Sequence, residues 1–397
     1  MSINRSIQTT RTKLPPTIGY YAAFFAFGLA SAVMGPALPA LAQNASVPLA
    51  DTGMFFTTRG IGFLLGSLAA GRSYDSWRGN PVLSSALLLT SLSLVLTPLV
   101  EQFWQLNVLM FLTGFTTSNL LVGCNTLLIW LHREQVGPWL NGMHFVNGIG
   151  SFVAPLILTQ LLVKTGRINS AFYLLAILCT LFAISVLFTF SPAIPTQTPD
   201  KTASPQRQID NTIIIPLALV FLLYVGTEVG FGGWIFSFVV ESETASEAVA
   251  GVINAIFFGA FTLGRLFAIP LTTRFANRQL LFANYVGSLL SLILLLFKSD
   301  SIVMVSIASA GLGLSMASTF PVLMTFAGKH LTLNGRINGA LFAVTAIGAM
   351  LIPWLMGRLF AAYGGIGMMF VVFGAVLLGL LFFQVVLIRL RLTAFQA

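Results

Sequence analysis

The stretch SPAIPTQTPDKTASPQRQID, residues 191–210, separates two long apolar halves of the chain. Its Pro, Ser, Thr and charged residues are typical of a flexible linker. On each side of it, runs of about twenty apolar residues recur, which is the length that crosses a bilayer as an α-helix. The sequence therefore predicts an all-α polytopic membrane protein with an N-terminal six-helix bundle at 1–190 and a C-terminal six-helix bundle at 211–397. The twelve predicted spans are 17–42, 52–72, 80–100, 104–130, 139–163, 169–190, 212–240, 247–271, 278–297, 301–328, 337–360 and 366–390.

The composition excludes a soluble protein. Of the 397 residues, 56% are hydrophobic and only 8% are charged, whereas soluble chains carry about 25% charged residues. A transmembrane β-barrel would alternate polar and apolar residues in short segments, which this chain does not do. The net charge of +9 indicates basic loops facing the cytoplasm, and we expect no nucleic-acid partner. Cys124 and Cys179 lie inside apolar runs, so we predict neither a disulfide nor a metal site.

The distribution of Lys and Arg predicts the orientation. If the N-terminus is inside, most of these residues fall on inner loops and tails, as the positive-inside rule requires. Both termini and the linker are therefore expected in the cytoplasm. Residues 1–13 are polar and basic and contain no evident cleavable signal. Short loops and the absence of a targeting segment favour the plasma (inner) membrane of a bacterium.

The two halves repeat each other at a nearly constant offset. GMHFVNGIGSFVAPLI, residues 142–157, matches GALFAVTAIGAMLIPWL, residues 339–355. A constant offset over several spans indicates a duplicated unit and hence two pseudo-symmetric bundles. The pairs separated by 198 residues are Gly28–Gly226, Gly35–Gly233, Gly150–Gly348 and Pro155–Pro353.

Twelve spans, a six-plus-six repeat and a cytoplasmic linker together resemble the major facilitator superfamily. GRSYDSWRG, residues 71–79, is similar to the signature that follows the second helix of that superfamily: a Gly, three residues, then Asp and basic residues. It departs from the signature because Ser76 replaces the usual arginine and the following glycine is displaced by one. The resemblance implies a monomer whose two bundles expose a central site alternately to each side, with the first, fourth, seventh and tenth spans around the cavity.

Three segments are also similar to the sodium-dependent glucose transporter and fucose–proton symporter relatives within the superfamily. They are YVGTEVGFGGWIFSF (224–238), VGPWLNGMHFVNGIGSFVAP (136–155) and GLGLSMASTFPVLMTFA (311–327). This likeness implies a hexose or a similar polyhydroxylated solute. It fixes neither the sugar nor the coupling ion.

Glu228 is the main candidate for a coupling group, because it lies well inside the seventh predicted span. Ionisable groups at membrane depth usually face a cavity or a partner and mark ion or substrate paths. Burial disfavours a charged carboxylate and a nearby cation favours it, so Glu228 could bind and release H⁺, or ligate Na⁺ when deprotonated. The neighbouring glycines suit an unwound or closely packed segment. The alternative is a static ion pair with Arg59 or Arg265.

Other polar residues of the predicted inner spans complete the candidate site. For coupling we name Glu228, His144, Arg59 and Arg265, the arginines having interfacial snorkelling as an alternative. Amide and imidazole groups could bind sugar hydroxyls, and an indole ring could pack on a sugar face. For the asparagines the alternative is interhelical hydrogen bonding. The predicted solute-binding residues are Asn119, Asn125, His144, Asn147, Glu228, Trp234 and Asn254.

A charged group is predicted at the inner helix ends. Asp75 near a helix N-terminus would be favourable, and a charge pair there could lock an inner gate. The alternative is that these charges only set the topology. The predicted gate residues are Asp75, Arg78, Arg274 and Arg336.

These observations predict a secondary transporter that takes up a hexose or similar small polar solute with H⁺ or Na⁺ and needs no other cofactor. The expected partners are a small-molecule solute and the lipid bilayer. No GxxxxGK, HExxH or GxSxG pattern is present, so no enzyme is predicted. Two alternatives stay open: proton-antiport efflux of amphipathic compounds, and a ligand sensor or scaffold that does not transport.

Overall fold

The computed structural model describes residues 2–194, 211–242, 245–330 and 335–396. Within these residues, the regular structure consists of α-helices with three short 3₁₀ turns, at Leu49–Thr52, Thr97–Leu99 and Arg133–Gln135. The helices are α1 (Ser2–Ala32), α2 (Met34–Asn44), α3 (Gly53–Ser76), α4 (Gly79–Leu96), α5 (Phe103–His132), α6 (Val136–Thr165), α7 (Asn169–Leu187), α8 (Asn211–Glu241), α9 (Glu247–Arg274), α10 (Asn277–Phe297), α11 (Ile302–Met316), α12 (Thr319–His330), α13 (Gly335–Tyr363) and α14 (Gly365–Gln396).

Two of the predicted spans are interrupted by proline. Helices α1 and α2 meet at an angle of 48°, because Pro36 has no N–H and its ring collides with the carbonyl of Ala32, one turn earlier. Pro321 acts in the same way on the carbonyl of Ala317, and the tenth span accordingly divides into α11 and α12. The helices thus follow the twelve predicted spans, two of which are helix pairs.

The apolar character of these helices identifies a membrane protein. In the described residues, ten helices are long and apolar enough to cross a bilayer, or eleven when the bent pair α1–α2 counts as one span. The second predicted span, 52–72, is helical as α3 but falls outside this set. The predicted all-α polytopic fold is confirmed.

The chain forms two compact units. One contains residues 1–47 and 58–197, and the other contains residues 48–57 and 198–397. A division at the linker alone does not anticipate that residues 48–57 belong to the second unit. The linker boundaries stay a prediction, since residues 195–210 lie outside the described part of the chain.

Residues 48–57 are held in the second unit by close contacts with α8 and α13. The Phe56 ring stacks on Trp234 with centroids 6.3 Å apart, and a Cβ added to Gly233 would collide with that ring. The backbone at Gly53 runs against Trp354, where an added Cβ would lie 3.3 Å from the Cα atom. Glycines therefore make room for the segment. An exposed ion pair, Asp51–Arg358 at 3.9 Å, adds little.

The same helix crossing occurs once in each unit. In the first, Gly150 of α6 lies against the backbone carbonyl of Phe25 in α1. In the second, Gly348 of α13 lies against the backbone carbonyl of Leu222 in α8. At both places an added Cβ would collide with the carbonyl oxygen. The glycine pair predicted from the 198-residue offset thus occupies equivalent positions.

A second crossing is also repeated. Gly114 of α5 lies against the backbone of Arg59 in α3, and Gly313 of α11 lies against the backbone of Phe257 in α9. The residues of the α3–α5 crossing are thus separated from those of the α9–α11 crossing by nearly the same 198-residue offset. These two repeated crossings give the pseudo-symmetry of the two units a structural basis, because small residues set how closely helices approach in a membrane.

We expect Gly348→Ala to destabilise the protein by about 1–3 kcal/mol, because α8 and α13 must separate to admit the methyl group. Gly374→Ala in α14 is the matched control, since nothing lies within 4 Å of its added Cβ and alanine favours a helix. Thermal unfolding in detergent should show a lower Tm for the first variant and an equal or higher Tm for the second. Equal Tm values for Gly348→Ala and the wild type would contradict the crossing.

Candidate functional site

Helix α8 carries Glu228 and is continuous from Asn211 to Glu241. The glycines around the carboxyl group therefore serve close packing, and the unwound alternative does not occur. Gly226 lies against Gly348 and Ile352 of α13, and Gly230 lies against Met356 of the same helix. The Glu228 side chain itself is half-buried.

Two side chains of the second unit act on Glu228. The Tyr224 hydroxyl, one turn earlier on α8, and the Arg265 guanidinium on α9 both interact with its carboxyl group. The same hydroxyl donates a hydrogen bond to the carbonyl oxygen of Met316, at 3.0 Å. The site therefore contains a carboxyl group, a phenol and a guanidinium, and sequence reasoning missed the phenol. The i, i+4 spacing of Tyr224 and Glu228 was the signal that could have identified it.

Arg265 does not form a close ion pair with Glu228. Its guanidinium lies over the Phe261 ring, 4.5 Å from the centroid. Among the described residues, the ion pair shorter than 4.0 Å is Asp51–Arg358. Arg265 is half-buried and acts on the carboxyl group from a longer distance. A tight static pair, the alternative considered for Glu228, is thus not formed with Arg265.

Arg59, the other arginine of the predicted coupling set, is bound within the first unit. Its two terminal nitrogens donate to the carbonyl oxygen of Ser31 at 3.2 Å and to the Ser31 hydroxyl at 3.1 Å. These bonds connect α3 to α1. Since both acceptors are neutral, the charge of Arg59 is bound but not neutralised by them.

His144 and Asn147 share one face of α6 in the first unit and are half-buried. The imidazole lies edge-on to the Phe24 ring, with centroids 5.0 Å apart. The Asn147 Oδ1 atom is buried and has no hydrogen-bond partner among the described residues. This oxygen lies against α1, where a Cβ added to Gly28 would be 3.0 Å from it, so it is enclosed between two helices and is not open to a solute.

Asn119 and Asn125 both lie on α5 but point in directions about 120° apart, as six residues of α-helix require. Asn119 is buried, and its Nδ2 donates to the carbonyls of Gly66 in α3, at 3.2 Å, and of Phe115, at 2.8 Å. Asn119 therefore forms the interhelical hydrogen bond that was the alternative to solute binding. Asn125 is half-buried and donates to Leu121 of its own helix at 2.8 Å.

Asn254 of α9 is also an interhelical residue. It is fully buried, and its Nδ2 donates to the carbonyl of Gly232 in α8 at 2.7 Å. Its Oδ1 has no partner among the described residues. The bond connects α9 to α8 one turn beyond Glu228.

The prediction that Trp234 binds solute is not supported by its surroundings. The ring is fully buried, it packs between Phe56 and Phe360, and its N–H donates to the carbonyl of Pro353 at 3.1 Å. Neither a ring face nor the indole N–H is left for a sugar. The sequence could not reveal this, because its partners lie more than a hundred residues away along the chain.

The predicted gate residues lie at helix ends, but the dipole argument for Asp75 is wrong. Asp75 is in the last turn of α3, which is the C-terminal end and disfavours an anion. Asp75, Arg78 and Arg274 are all exposed. Arg78 precedes α4, and Arg274 is the last residue of α9. The side chain of Arg336 lies outside the part that the structure describes.

Comparison with known proteins establishes the class. The sequence profile of the Major Facilitator Superfamily matches residues 20–242, so the chain belongs to this superfamily. It is a multi-pass membrane transporter and not an enzyme.

The chain is also similar to individual proteins of known name. The chain is 27% identical to sodium-dependent glucose transporter 1 of Xenopus laevis, over 83% of this chain and 73% of the relative. It is 27% identical to sodium-dependent glucose transporter 1A of Mus musculus, over 86% of this chain and 89% of the relative. A variant of the nucleoside transporter NupG has the same fold, with a TM-score of 0.75 at 14% identity and coverage of 95% and 99%.

We expect Trp234→Phe to lower stability by about 1 kcal/mol, because the carbonyl of Pro353 loses its indole donor. The apparent KM for solute should not change, since the ring is enclosed. Trp104→Phe is the control, because Trp104 is 64% exposed and should tolerate the change. A raised KM with an unchanged Tm for Trp234→Phe would instead place the indole against the solute.

Proposed function

We propose that the chain takes up a hexose or a similar polyhydroxylated solute by alternating access, driven by a coupling cation that acts at Glu228. The observation that carries the proposal is a half-buried carboxyl group in the apolar helix α8, within reach of a phenol and a guanidinium. A carboxyl group at membrane depth is costly, and its position beside a cation is typical of ion-coupled transport. The sugar follows from the similarity to sodium-dependent glucose transporters.

In this mechanism the binding of solute and cation shifts the balance between the two access states. Glu228 would bind the cation on one side of the membrane and release it on the other. Arg265 favours the charged carboxylate and so promotes release. Asn125 of the first unit is the amide best placed to offer hydrogen bonds to sugar hydroxyls, because its side chain is half-buried. Asn147 is also half-buried, but its Oδ1 atom is enclosed. His144, beside Asn147 on α6, is the second candidate for coupling.

The distribution of basic residues supports an orientation with both termini in the cytoplasm. We place the protein in the plasma (inner) membrane as a monomer. Asp75, Arg78 and Arg274 are exposed helix-end charges, available to form an inner gate in one access state. We keep Arg336 in this set because its position at the start of α13 suits the same role.

Uptake of radiolabelled glucose and fucose into proteoliposomes tests the function, under an imposed Na⁺ gradient and an imposed proton gradient in turn. Glu228→Gln should abolish cation-driven accumulation and retain counterflow exchange, because solute binding survives while the titratable group is lost. Glu241→Gln is the matched control: Glu241 is at the exposed end of the same helix, and this variant should accumulate solute like the wild type.

Each other outcome has a definite meaning. Absence of sugar flux under both gradients would reject the sugar and favour efflux of amphipathic compounds. Absence of flux of any tested solute, with ligand binding retained, would indicate a sensor or scaffold. Full accumulation by Glu228→Gln would make the carboxyl group a structural partner and transfer the coupling role to His144.

A further inference from the structure

The hydrogen bond of Tyr224 limits what its hydroxyl can offer to Glu228. A phenol has one O–H donor and accepts through its lone pairs. In the structure this donor is directed to the carbonyl of Met316, at 3.0 Å. The oxygen therefore presents lone pairs to the Glu228 carboxyl group beside it. A protonated carboxyl group can donate a hydrogen bond to these lone pairs. A carboxylate instead competes with the Met316 carbonyl for the single phenol O–H, because the interaction with Tyr224 favours the charged form of Glu228.

The acceptor at Met316 lies at a structural break. Helix α11 ends at Met316, and α12 begins at Thr319. The last carbonyls of a helix lack an intrahelical partner, and Pro321 prevents a regular continuation because it has no N–H. The Tyr224 hydroxyl thus satisfies a carbonyl oxygen that the helix itself leaves free.

We propose that Tyr224 is a positioning residue that transmits the protonation state of Glu228 to the break between α11 and α12. When Glu228 is protonated, its O–H donates to the Tyr224 oxygen and the phenol O–H stays on Met316. When Glu228 releases its proton to the water-accessible side, the phenol O–H turns to the carboxylate and the Met316 carbonyl loses its donor. The number of protons balances, since only the one on Glu228 leaves the site. This inference rests on the proposed function, and it identifies the coupling ion as H⁺.

The surroundings allow such a turn of the hydroxyl group. Beside Tyr224 lies a small cavity of about 10 Å³, close to the lower limit for one water molecule. It is also lined by Thr227, Tyr285, Met316 and Thr319, and the Tyr285 hydroxyl has no hydrogen-bond partner among the described residues. A turn of the Tyr224 hydroxyl group displaces only its hydrogen, so it does not require a heavy atom beside the break to move.

The other charges around this pair are few. Among the described residues, the ionisable groups that interact with Glu228 or Tyr224 are Arg265 from α9 and Tyr285 from α10. Arg265 stabilises the carboxylate after the proton has left. Tyr285 contributes a neutral hydroxyl near the phenol and carries no charge at neutral pH. Glu228 is therefore the group of this cluster that changes its charge during transport.

Amide hydrogen exchange at residues 317–322 tests the proposal in the purified full-length protein in nanodiscs, without solute. After correction for the intrinsic rate, wild-type exchange should rise by roughly three- to tenfold as pH increases, the effect of losing one hydrogen bond. Tyr224→Phe should exchange fast at every pH. Glu228→Gln should exchange slowly at every pH, because its amide N–H replaces the carboxyl O–H as donor to Tyr224.

Tyr285→Phe is the matched control and should respond to pH like the wild type, since the Tyr285 hydroxyl has no hydrogen-bond partner in the described part of the chain. A wild-type pH response in Tyr224→Phe, or any pH response in Glu228→Gln, would overturn the proposal. A response to Na⁺ at constant pH in place of the response to pH would also overturn it. If Tyr224→Phe does not fold, Glu228→Gln alone still decides the question.

This experiment is independent of the uptake assay. Suppose that Glu228→Gln loses cation-driven uptake while amide hydrogen exchange in the wild type does not depend on pH. The proposal for Tyr224 is then rejected, and the proposed coupling function of Glu228 is retained. If Glu228→Gln accumulates sugar normally, the coupling function fails whatever the exchange data show. In coupled transport, Tyr224→Phe should keep counterflow exchange and lose most of its pH dependence, whereas a merely structural tyrosine would reduce both.

Discussion

The second unit is arranged around the need to place a carboxyl group inside an apolar helix. Glu228 lies two residues from both Gly226 and Gly230, so it points to the side of α8 opposite those glycines. The glycines face α13. One side of α8 therefore packs tightly against α13, and the other side directs the carboxyl group to Tyr224 and to Arg265 of α9. The side of α8 that does not contact α13 therefore carries the ionisable group and its polar partners.

Close backbone approach is the second requirement of this fold. Helices in lipid gain little from apolar contact with each other, because lipid is equally apolar, so small residues and interhelical hydrogen bonds decide how they associate. Gly150 and Gly348 mark equivalent crossings in the two units. Asn119 and Asn254 then connect neighbouring helices by donating to backbone carbonyls. Their amides belong to the framework that holds the site.

The sequence predicted the helices and the duplication, because these features depend on residues that are close together in the chain or repeated at a fixed offset. It did not predict the partners of polar side chains. Trp234 bonds to Pro353, 119 residues away, and apolar periodicity contains no information on such pairs. The same limit explains why the docking of residues 48–57 against α8 and α13 was not anticipated.

A polar residue at membrane depth can either bind a solute or join two helices, and composition does not distinguish these uses. Burial identifies the second use in Asn254, which is enclosed and joins two helices. Asn125 and Asn147 are half-buried. Burial also argues against Trp234 as the aromatic residue that packs on a sugar, because both faces of its ring are covered. Tyr224 was overlooked because a tyrosine in an apolar run is usually a packing residue, and its bond to the Met316 carbonyl, 92 residues away at a helix break, depends on tertiary packing.

The duplication also explains where the chemistry lies. With the 198-residue offset, the positions of Tyr224, Glu228 and Arg265 correspond in the first unit to Ala26, Ala30 and Ser67. Ala26 and Ala30 are buried. The two copies thus share their glycine crossings but not their ionisable groups. Under the proposed function, a symmetric pair of scaffolds supplies two similar access states, and the asymmetric set of ionisable groups lets a cation favour one of them. Under that function, symmetry in the backbone and divergence in these three side chains are both needed.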